Sequence, residues 1–259
     1  MLVDLHNHTP LCNHAEGEMS EYIEMAIKHG TQYFGFSDHA PMDFDPKYRM
    51  QFSQMQKYEE DVLSAQKKYK DKITILLGYE VDYLPNYMDK KVLNAEVDYL
   101  IGSVHFLEGW GFDNPEFIGE WKTQDTDVVW QKYFDTIEEM ANARLFDIVG
   151  HLDLIKVFKF MPKGDINAMA QKALEAIKKA DMVLELNVAG FRKDVAEAYP
   201  SIALLQQAFA LNIPITFASD AHKPEQVALF SEEIVKIAKN IGYTECAYFV
   251  KRKRKMLAF

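Results

Sequence analysis

The stretch ITILLGYEVD, residues 73–82, shows two features that recur along the chain: a continuous apolar run and a carboxylate directly after it. Ile73–Tyr79 does not alternate between apolar and polar residues, which is typical of a strand that is buried on both faces. Glu80 follows the run, so its carboxylate is expected at the carboxyl end of the strand. We therefore interpret the stretch as a strand of a parallel sheet that carries an acidic group to one edge.

Six similar runs and several helical patterns extend this interpretation to the whole chain. The seven expected strands are Leu2–Leu5, Tyr33–Ser37, Ile73–Tyr79, Tyr99–Ser103, Phe146–Gly150, Met182–Leu186 and Ile215–Ala218. Between them, Ser20 and Asp165 are predicted to cap helices, and Pro200 to lie in the first turn of another. Alternating strands and helices predict an α/β fold with a parallel sheet. We expect one domain over residues 1–259 that closes into a (β/α)7 barrel, with a doubly wound open sheet as the alternative.

Composition narrows the classes of partner. The formal net charge is −10, from 39 acidic and 29 basic residues, whereas a nucleic-acid-binding protein usually has a basic face. The one dense basic run, Lys251–Lys255, is interpreted as a solvated terminal segment. We therefore expect a small-molecule partner and no nucleic acid.

Cysteine content and hydropathy bear on the compartment. Cys12 and Cys246 are too few for a disulfide framework and are typical of a reducing compartment. The first residues lack the basic and apolar segments of a secretory signal. No window has the roughly 18 apolar residues that a membrane span requires. The sequence therefore predicts a cytoplasmic protein without a membrane partner.

Most histidines fall where the predicted strands end. Seven of the eight lie at strand ends or in the loops that follow: His6, His8, His14, His39, His105, His151 and His222. Glu80 and Asp220 occupy the same kind of position. In a β/α barrel the carboxyl ends of the strands meet on one face and supply the active site. Imidazoles and carboxylates are common ligands of transition metals. Because these nine residues exceed the needs of one tetrahedral ion, we predict two or three ions that share ligands.

Each candidate ligand has an ordinary structural alternative. One histidine near a strand end is more often a hydrogen-bonded structural residue, but seven together are hard to explain in that way. His29 precedes Gly30 at a helix end and is left out of the site. Cys12 is expected to be buried as a small apolar residue rather than to bind metal. Asp38 is expected to orient a ligand, and Asp82 either shares the site of Glu80 or is solvated.

The candidate ligands lie in an ordered series of short motifs. They are His6-Asn7-His8, Cys12-Asn13-His14-Ala15, Ser37-Asp38-His39, Gly78-Tyr79-Glu80-Val81-Asp82, Gly102-Ser103-Val104-His105, Gly150-His151-Leu152-Asp153 and Ser219-Asp220-Ala221-His222. This series resembles the PHP (polymerase and histidinol phosphatase) superfamily from His6 to His222. Further matches resemble the monofunctional histidinol-phosphate phosphatases: Asp38–Met42, Ser103–Phe106, Glu185–Asn187 and Gly190–Lys193.

The resemblance implies a distorted seven-stranded barrel of the PHP type, with the active site at the carboxyl face of the strands. It also implies up to three divalent ions, which the mixed nitrogen and oxygen ligands would allow to be Zn, Mn or Fe. The implied division of ligands is His6, His8, Glu80 and Asp220 for the first ion, Glu80, His105 and His151 for the second, and His14, His39 and His222 for the third. The chain departs from the family at Val188 and Ala189, where small hydroxyl residues are usual.

The implied activity is hydrolysis of L-histidinol phosphate to L-histidinol and inorganic phosphate, a step of histidine biosynthesis. Our hypothesis is that a hydroxide bridging the first two ions attacks phosphorus. The predicted catalytic residues are Glu80, His105, Asp220 and Arg192. The predicted substrate contacts are Arg192, Asn187 and Lys156, of which the guanidinium of Arg192 can clamp two phosphate oxygens.

Two other functions remain open from the sequence. A PHP phosphoesterase that acts on nucleotides or other small esters would share the ligands but use a different substrate site. A non-catalytic metal-binding protein would usually hold its ion with closely spaced cysteines and histidines. Turnover of different phosphate esters distinguishes these functions. The oligomeric state, monomer or homodimer, is also open.

Overall fold

Seven of the eleven strands correspond to the predicted apolar runs. The computed structural model describes residues 1–259. Its strands are β1 Val3–Asp4, β2 Tyr33–Phe36, β3 Thr74–Asp82, β4 Tyr99–Ser103, β5 Phe106–Leu107, β6 Trp110–Gly111, β7 Ile148–Val149, β8 Val183–Asn187, β9 Ile215–Ala218, β10 Glu245–Val250 and β11 Lys253–Ala258. Its helices are α1 Met19–Lys28, α2 Met55–Tyr69, α3 Lys90–Leu93, α4 Thr126–Ala143, α5 Ile166–Ala180, α6 Ile202–Ala210 and α7 Ser231–Ile241.

Seven of these strands form one parallel sheet in the order β1-β2-β3-β4-β7-β8-β9. The sheet curls until its two edges meet. At this seam the Leu5 N–H donates to the Phe217 carbonyl at 3.0 Å, and the Asp220 N–H donates to the His6 carbonyl at 2.7 Å. The predicted (β/α)7 barrel is therefore confirmed, and the open-sheet alternative is wrong. The carboxyl ends of all seven strands face the same side.

Glycines inside the barrel make room for a large aromatic residue. Tyr99 of β4 is fully buried, and its hydroxyl donates to the Leu5 carbonyl at 2.6 Å. A Cβ atom at Gly78 of β3 would lie 2.6 Å from the Tyr99 ring, and one at Gly35 of β2 would collide with the hydroxyl. Tyr99 thus joins β4 to β1 across the interior, and the two glycines permit this packing.

The helices cover the outside of the barrel, and their starts correct two predictions. Asp165 caps α5 as expected, since its side chain accepts from the Asn167 N–H. Ser20 lies inside α1, whose N-cap is Glu18. Pro200 precedes α6, and Ser201 is the cap. No helix is both long enough and apolar enough to cross a membrane.

The basic run Lys251–Lys255 belongs to a C-terminal hairpin that the sequence did not predict. Antiparallel strands β10 and β11 form this hairpin. Arg252 pairs with Asp147, and Arg254 lies 2.9 Å from Asp181. These aspartates precede β7 and β8, so the hairpin covers the amino end of the barrel, opposite the strand ends that carry the histidines. Our interpretation of the run as a solvated segment is therefore wrong for the two arginines.

Candidate metal centre

A cavity of about 460 Å³ opens at the carboxyl ends of the strands. Seven of the nine predicted ligands line it: His14, His39, Glu80, His105, His151, Asp220 and His222. The other two, His6 and His8, are fully buried and adjoin this group through Glu80 and Asp220. The structure thus brings together side chains that are up to 216 positions apart in the sequence, from 6 to 222.

Glu80, at the carboxyl end of β3, lies at the middle of the group. Its Oε2 atom is 2.9 Å from His39 Nδ1, 3.3 Å from His6 Nε2 and 3.8 Å from His8 Nε2. Its Oε1 atom is 2.9 Å from His151 Nε2 and 3.7 Å from His105 Nε2. One buried carboxylate therefore contacts two sets of imidazoles through its two oxygens. That geometry suits a ligand shared between two ions.

The donor atoms form compact groups. Within 4.8 Å of one another lie the ligand atoms of His6, His8 and Glu80, those of Glu80, His105 and His151, and those of His14, His39 and His222. Asp220 adjoins the first group, with its Oδ1 atom 3.2 Å from His8 Nε2. A fourth group contains Cys12, but this thiol is buried and donates to the Thr9 carbonyl. The first three groups coincide with the division of ligands that the resemblance implies.

Several donor atoms in these groups lack a hydrogen-bond partner. His6 Nε2, His39 Nδ1 and Glu80 Oε2 are buried and make no aligned hydrogen bond. A buried polar atom without a partner costs about 1–3 kcal/mol, so such atoms are rare unless another group binds them. Imidazole nitrogen and carboxylate oxygen are ligands that Zn, Mn and Fe accept. The residues therefore fit a cluster of divalent ions.

Carboxylates behind the imidazoles fix their orientation. Glu185 Oε2 is 2.8 Å from His6 Nδ1, Asp38 Oδ1 is 3.3 Å from His8 Nδ1, and Asp82 Oδ1 is 2.6 Å from His105 Nδ1. Each contact leaves the other ring nitrogen free to face the centre of the group, as is usual for histidines that bind metal. Asp38 therefore has the expected position. Asp82 is 3% exposed, so its solvated alternative is wrong.

The sequence interpretation missed Glu185 as a member of this network. It lies in the middle of β8 and is fully buried. A signal was available, because a charged residue inside a continuous apolar strand is rarely buried unless it is paired. Its Oε1 atom also accepts from the His151 N–H at 3.2 Å and from Asn187 Nδ2 at 2.6 Å.

The charges around the site divide the imidazoles into two kinds. Burial lowers the pKa of His39 to about 4, and burial together with the neighbouring His8 lowers the pKa of His222. Burial opposes protonation of His105 too, but the Asp82 and Glu80 carboxylates raise its pKa to about 10. His39 and His222 therefore have free lone pairs at neutral pH, whereas His105 holds a proton that a bound cation could replace.

Of the three predicted substrate contacts, only Arg192 lines the cavity. It donates from Nη1 to the Ser219 carbonyl at 3.0 Å and from Nη2 to the Asp220 carbonyl at 2.8 Å. Because a guanidinium has five N–H groups, it can still bind an anion. Asn187 is fully buried, and its amide donates to Glu185 and, at 3.1 Å, to Asp220 Oδ2. Its position suits orienting carboxylates, not contacting a substrate.

Lys156 also has a different position from the one that we predicted. It is 1% exposed and lies outside the cavity lining. Its Nζ atom is 2.9 Å from Asp153 Oδ2, 2.8 Å from Glu197 Oε2 and 2.8 Å from the Ala198 carbonyl. These three acceptors match the three N–H groups of an ammonium. Lys156 therefore holds the segment around Ala198 and has no donor left for a phosphate.

Two cavity residues gave no signal in the sequence. Asp113 lies in the loop after β6 and lines the cavity. The other cavity carboxylates are partnered: Asp45 by Arg49, and Glu80 and Asp220 by imidazoles. Asp113 alone has no ion pair within 4.0 Å and no side-chain hydrogen bond, and its pKa is raised by burial. Tyr199, the second such residue, lies in the segment that Lys156 holds.

Comparisons with known proteins agree with this geometry. The model of the PHP domain family matches residues 4–189. A "Probable histidinol-phosphatase" from Deinococcus radiodurans is 36% identical over 260 residues, which cover 98% of each chain. A "Histidinol-phosphatase" from Bacillus subtilis is 29% identical and covers 86% of this chain and 94% of its own.

A solved structure has the same fold. Histidinol phosphate phosphatase from Lactococcus lactis, complexed with zinc, L-histidinol and phosphate, superposes with a TM-score of 0.79 at 21% identity, and 98% of each chain is covered. Because the PHP domain model matches residues 4–189 and the Deinococcus relative is 36% identical over 98% of the chain, the chain belongs to the PHP domain family and, within it, to the histidinol-phosphatase family.

Proposed function

We propose that the protein is a metal-dependent phosphomonoesterase that hydrolyses L-histidinol phosphate to L-histidinol and inorganic phosphate. The main support is Glu80, a buried carboxylate with imidazoles around both of its oxygens, at the floor of a cavity that a small ester can enter. The names of the Deinococcus and Bacillus relatives support the choice of substrate.

We assign the metal ligands as three groups, of which the first two share Glu80. They are His6, His8, Glu80 and Asp220; Glu80, His105 and His151; and His14, His39 and His222. Support comes from the short distances within each group and from the buried donor atoms of His6, His39 and Glu80 that lack a hydrogen-bond partner. Glu80 would bridge the first two ions, and Asp220 and His105 would hold them on the side that lines the cavity.

When bound, divalent ions lower the pKa of a coordinated water and neutralise phosphoryl oxygens, which is the chemistry that ester hydrolysis needs. The chain itself supplies position. Arg192, with N–H groups left after its two backbone contacts, can orient the phosphate. Those two contacts fix the guanidinium to the strand end that carries Asp220.

The cavity also offers a site for the amine of the substrate. Histidinol phosphate has a cationic amine close to its phosphate. Asp113 is the cavity carboxylate without a partner in the chain, and a half-buried carboxylate usually has one. We assign Asp113 to the ammonium group. This contact would distinguish histidinol phosphate from esters that have no cation.

Phosphate release from a panel of esters tests the proposal. The panel contains histidinol phosphate, p-nitrophenyl phosphate and nucleotides, and the metal content of the same protein is measured by elemental analysis. We expect bound transition metal and the highest kcat/KM on histidinol phosphate. Faster turnover of nucleotides would contradict histidinol phosphate as the substrate. An absence of turnover on every ester would favour a non-catalytic metal-binding protein.

Two substitutions locate the activity. His105→Ala and Asp220→Ala each remove a proposed ligand and should reduce kcat at least about 1,000-fold, since ligand and transition-state contacts are lost together. The control is His29→Ala, because this exposed histidine lies at the end of α1, outside the cavity. Wild-type kcat in both ligand variants would contradict the proposed site.

A further inference from the structure

The wall of the cavity contains an unpartnered hydroxyl that the metal ligands do not explain. Tyr199 lines the cavity and is 1% exposed. Its hydroxyl oxygen is buried and makes no hydrogen bond. The ligand atoms His6 Nε2, His39 Nδ1 and Glu80 Oε2 of the same site are also buried and unpartnered. Metal ions would satisfy those atoms, but a tyrosine hydroxyl needs a hydrogen-bond acceptor.

The segment that carries Tyr199 is held in place from several sides. The Tyr199 N–H donates to the Asn187 carbonyl at 2.9 Å, and the Asn187 N–H donates to the Tyr199 carbonyl at 2.7 Å. The ammonium of Lys156 lies 5.3 Å from the centre of the Tyr199 ring. At Gly190 a Cβ atom would collide with the Glu197 carbonyl, so glycine permits the close approach of the two loops. The hydroxyl is therefore fixed in position without being used inside the molecule.

The surroundings of this hydroxyl are those of the proposed phosphate site. The Tyr199 ring meets the His151 ring edge to face, with centroids 6.4 Å apart. Arg192 and Asp220 line the same cavity as Tyr199. A neutral tyrosine hydroxyl is a hydrogen-bond donor. The acceptor for this hydroxyl is expected to be anionic, because Arg192 lines the same cavity and bound ions would add positive charge there.

We propose that the Tyr199 hydroxyl donates a hydrogen bond to a phosphoryl oxygen of the substrate, beside Arg192. This inference rests on the proposed phosphomonoesterase function and adds a catalytic residue to it. The contacts of its segment position the Tyr199 ring before the substrate binds, which limits the cost of forming the hydrogen bond. In the free protein the unpartnered hydroxyl lowers stability, as is often found for groups that serve a site.

The test is Tyr199→Phe, which removes only the hydroxyl. In metal-loaded protein we expect kcat/KM for histidinol phosphate to fall about 10- to 100-fold, the effect of losing one hydrogen bond to a charged group. The affinity for inorganic phosphate, measured by calorimetry, should fall as well. The melting temperature should stay the same or rise, and the metal content should not change.

A matched control is Tyr243→Phe, because the Tyr243 hydroxyl donates to the Ile213 carbonyl at 3.1 Å, at the start of β9 and away from the cavity. This variant should lose melting temperature and keep kcat/KM. The proposal is overturned if Tyr199→Phe keeps both kcat/KM and phosphate affinity, or if its losses accompany a lower melting temperature or lower metal content. Failure of the wild-type protein to hydrolyse histidinol phosphate would instead reject the proposed function, and the phosphate-affinity comparison would still decide the role of Tyr199.

Discussion

Glu185 illustrates how one buried carboxylate organises the site. A buried carboxylate is unfavourable unless it is hydrogen-bonded, and Glu185 is bonded by His6 Nδ1, the His151 N–H and Asn187 Nδ2. These three donors belong to the loop after β1, the loop after β7 and the end of β8. The same contacts that stabilise the carboxylate therefore also position two proposed ligands, His6 and His151.

We predict that Glu185→Gln weakens metal binding about 10- to 100-fold, the usual effect of removing a partner behind a ligating histidine. A glutamine keeps the shape but turns one acceptor oxygen into an amide donor, which would face either the His6 N–H or the donors on the other side. Metal affinity is measured by titration of apoprotein. Glu59→Gln is the control, since Glu59 accepts from the Tyr79 hydroxyl outside the cavity. Equal metal affinity in the two variants would contradict the role of Glu185.

Asp113 gives a second prediction at the scale of one residue. Asp113→Asn removes the charge that we assign to the ammonium group, so KM for histidinol phosphate should rise about 10-fold, the effect of losing a charge-assisted hydrogen bond. Hydrolysis of p-nitrophenyl phosphate, which has no cation, should keep its KM. Steady-state kinetics on both esters checks the difference. A similar change on both substrates would mean that Asp113 acts on the metal site instead.

Among the secondary-structure elements, the barrel strands could be predicted from the sequence, because the same physical constraint applies to each of them. The barrel strands are buried on both faces, so each leaves a continuous apolar run such as Tyr99–Ser103. Ligands at strand ends were predictable because parallel strands present their carboxyl ends on one face. Asp113 and Tyr199 were not, because they lie in loops whose course depends on tertiary packing. The hairpin β10–β11 was missed because exposed lysines interrupt any apolar pattern in β11.

The hairpin provides a prediction about stability. Phe249 of β10 is 3% exposed and belongs to the core at the amino end of the barrel. Phe249→Ala should lower the free energy of unfolding by about 3–5 kcal/mol through lost burial and the cavity that remains. Met256→Ala, at a residue of β11 that is 41% exposed, should change it by less than about 0.5 kcal/mol. Denaturant unfolding measures both.

The kinetics of the same variants separate the two ends of the barrel. At a temperature where Phe249→Ala remains folded, its kcat on histidinol phosphate should equal that of the wild type, because the hairpin lies opposite the cavity. A large loss of kcat in the folded variant would show that the amino end of the barrel influences the site.

At the scale of the whole molecule, the site contains several buried carboxylates in a chain that is itself negatively charged. The formal net charge is −10, and Glu80, Asp82, Asp38 and Glu185 are buried within a short distance of one another through the histidines. Burial disfavours ionised Glu80, and the nearby imidazoles hold its pKa well below the usual value. Divalent ions would take over this role and link the strand ends around most of the barrel.

Metal removal is therefore expected to affect activity and stability together. Each ion at 100 times its dissociation constant stabilises a folded protein by about 2.7 kcal/mol, which corresponds to a rise of about 5–10 °C in the melting temperature for a domain of this size. Chelation followed by dialysis should abolish phosphate release and lower the melting temperature by at least the shift for one ion, and Zn, Mn or Fe should restore both. His29→Ala should show the same shift as the wild type. In His105→Ala the shift should be smaller, because one ligand is missing from the group around Glu80. Two results would contradict the idea that ions hold the strand ends together. One is full activity in the chelated protein, and the other is a metal-induced shift in melting temperature that is identical in His105→Ala. The proposed ligands would then be connected by the fold alone.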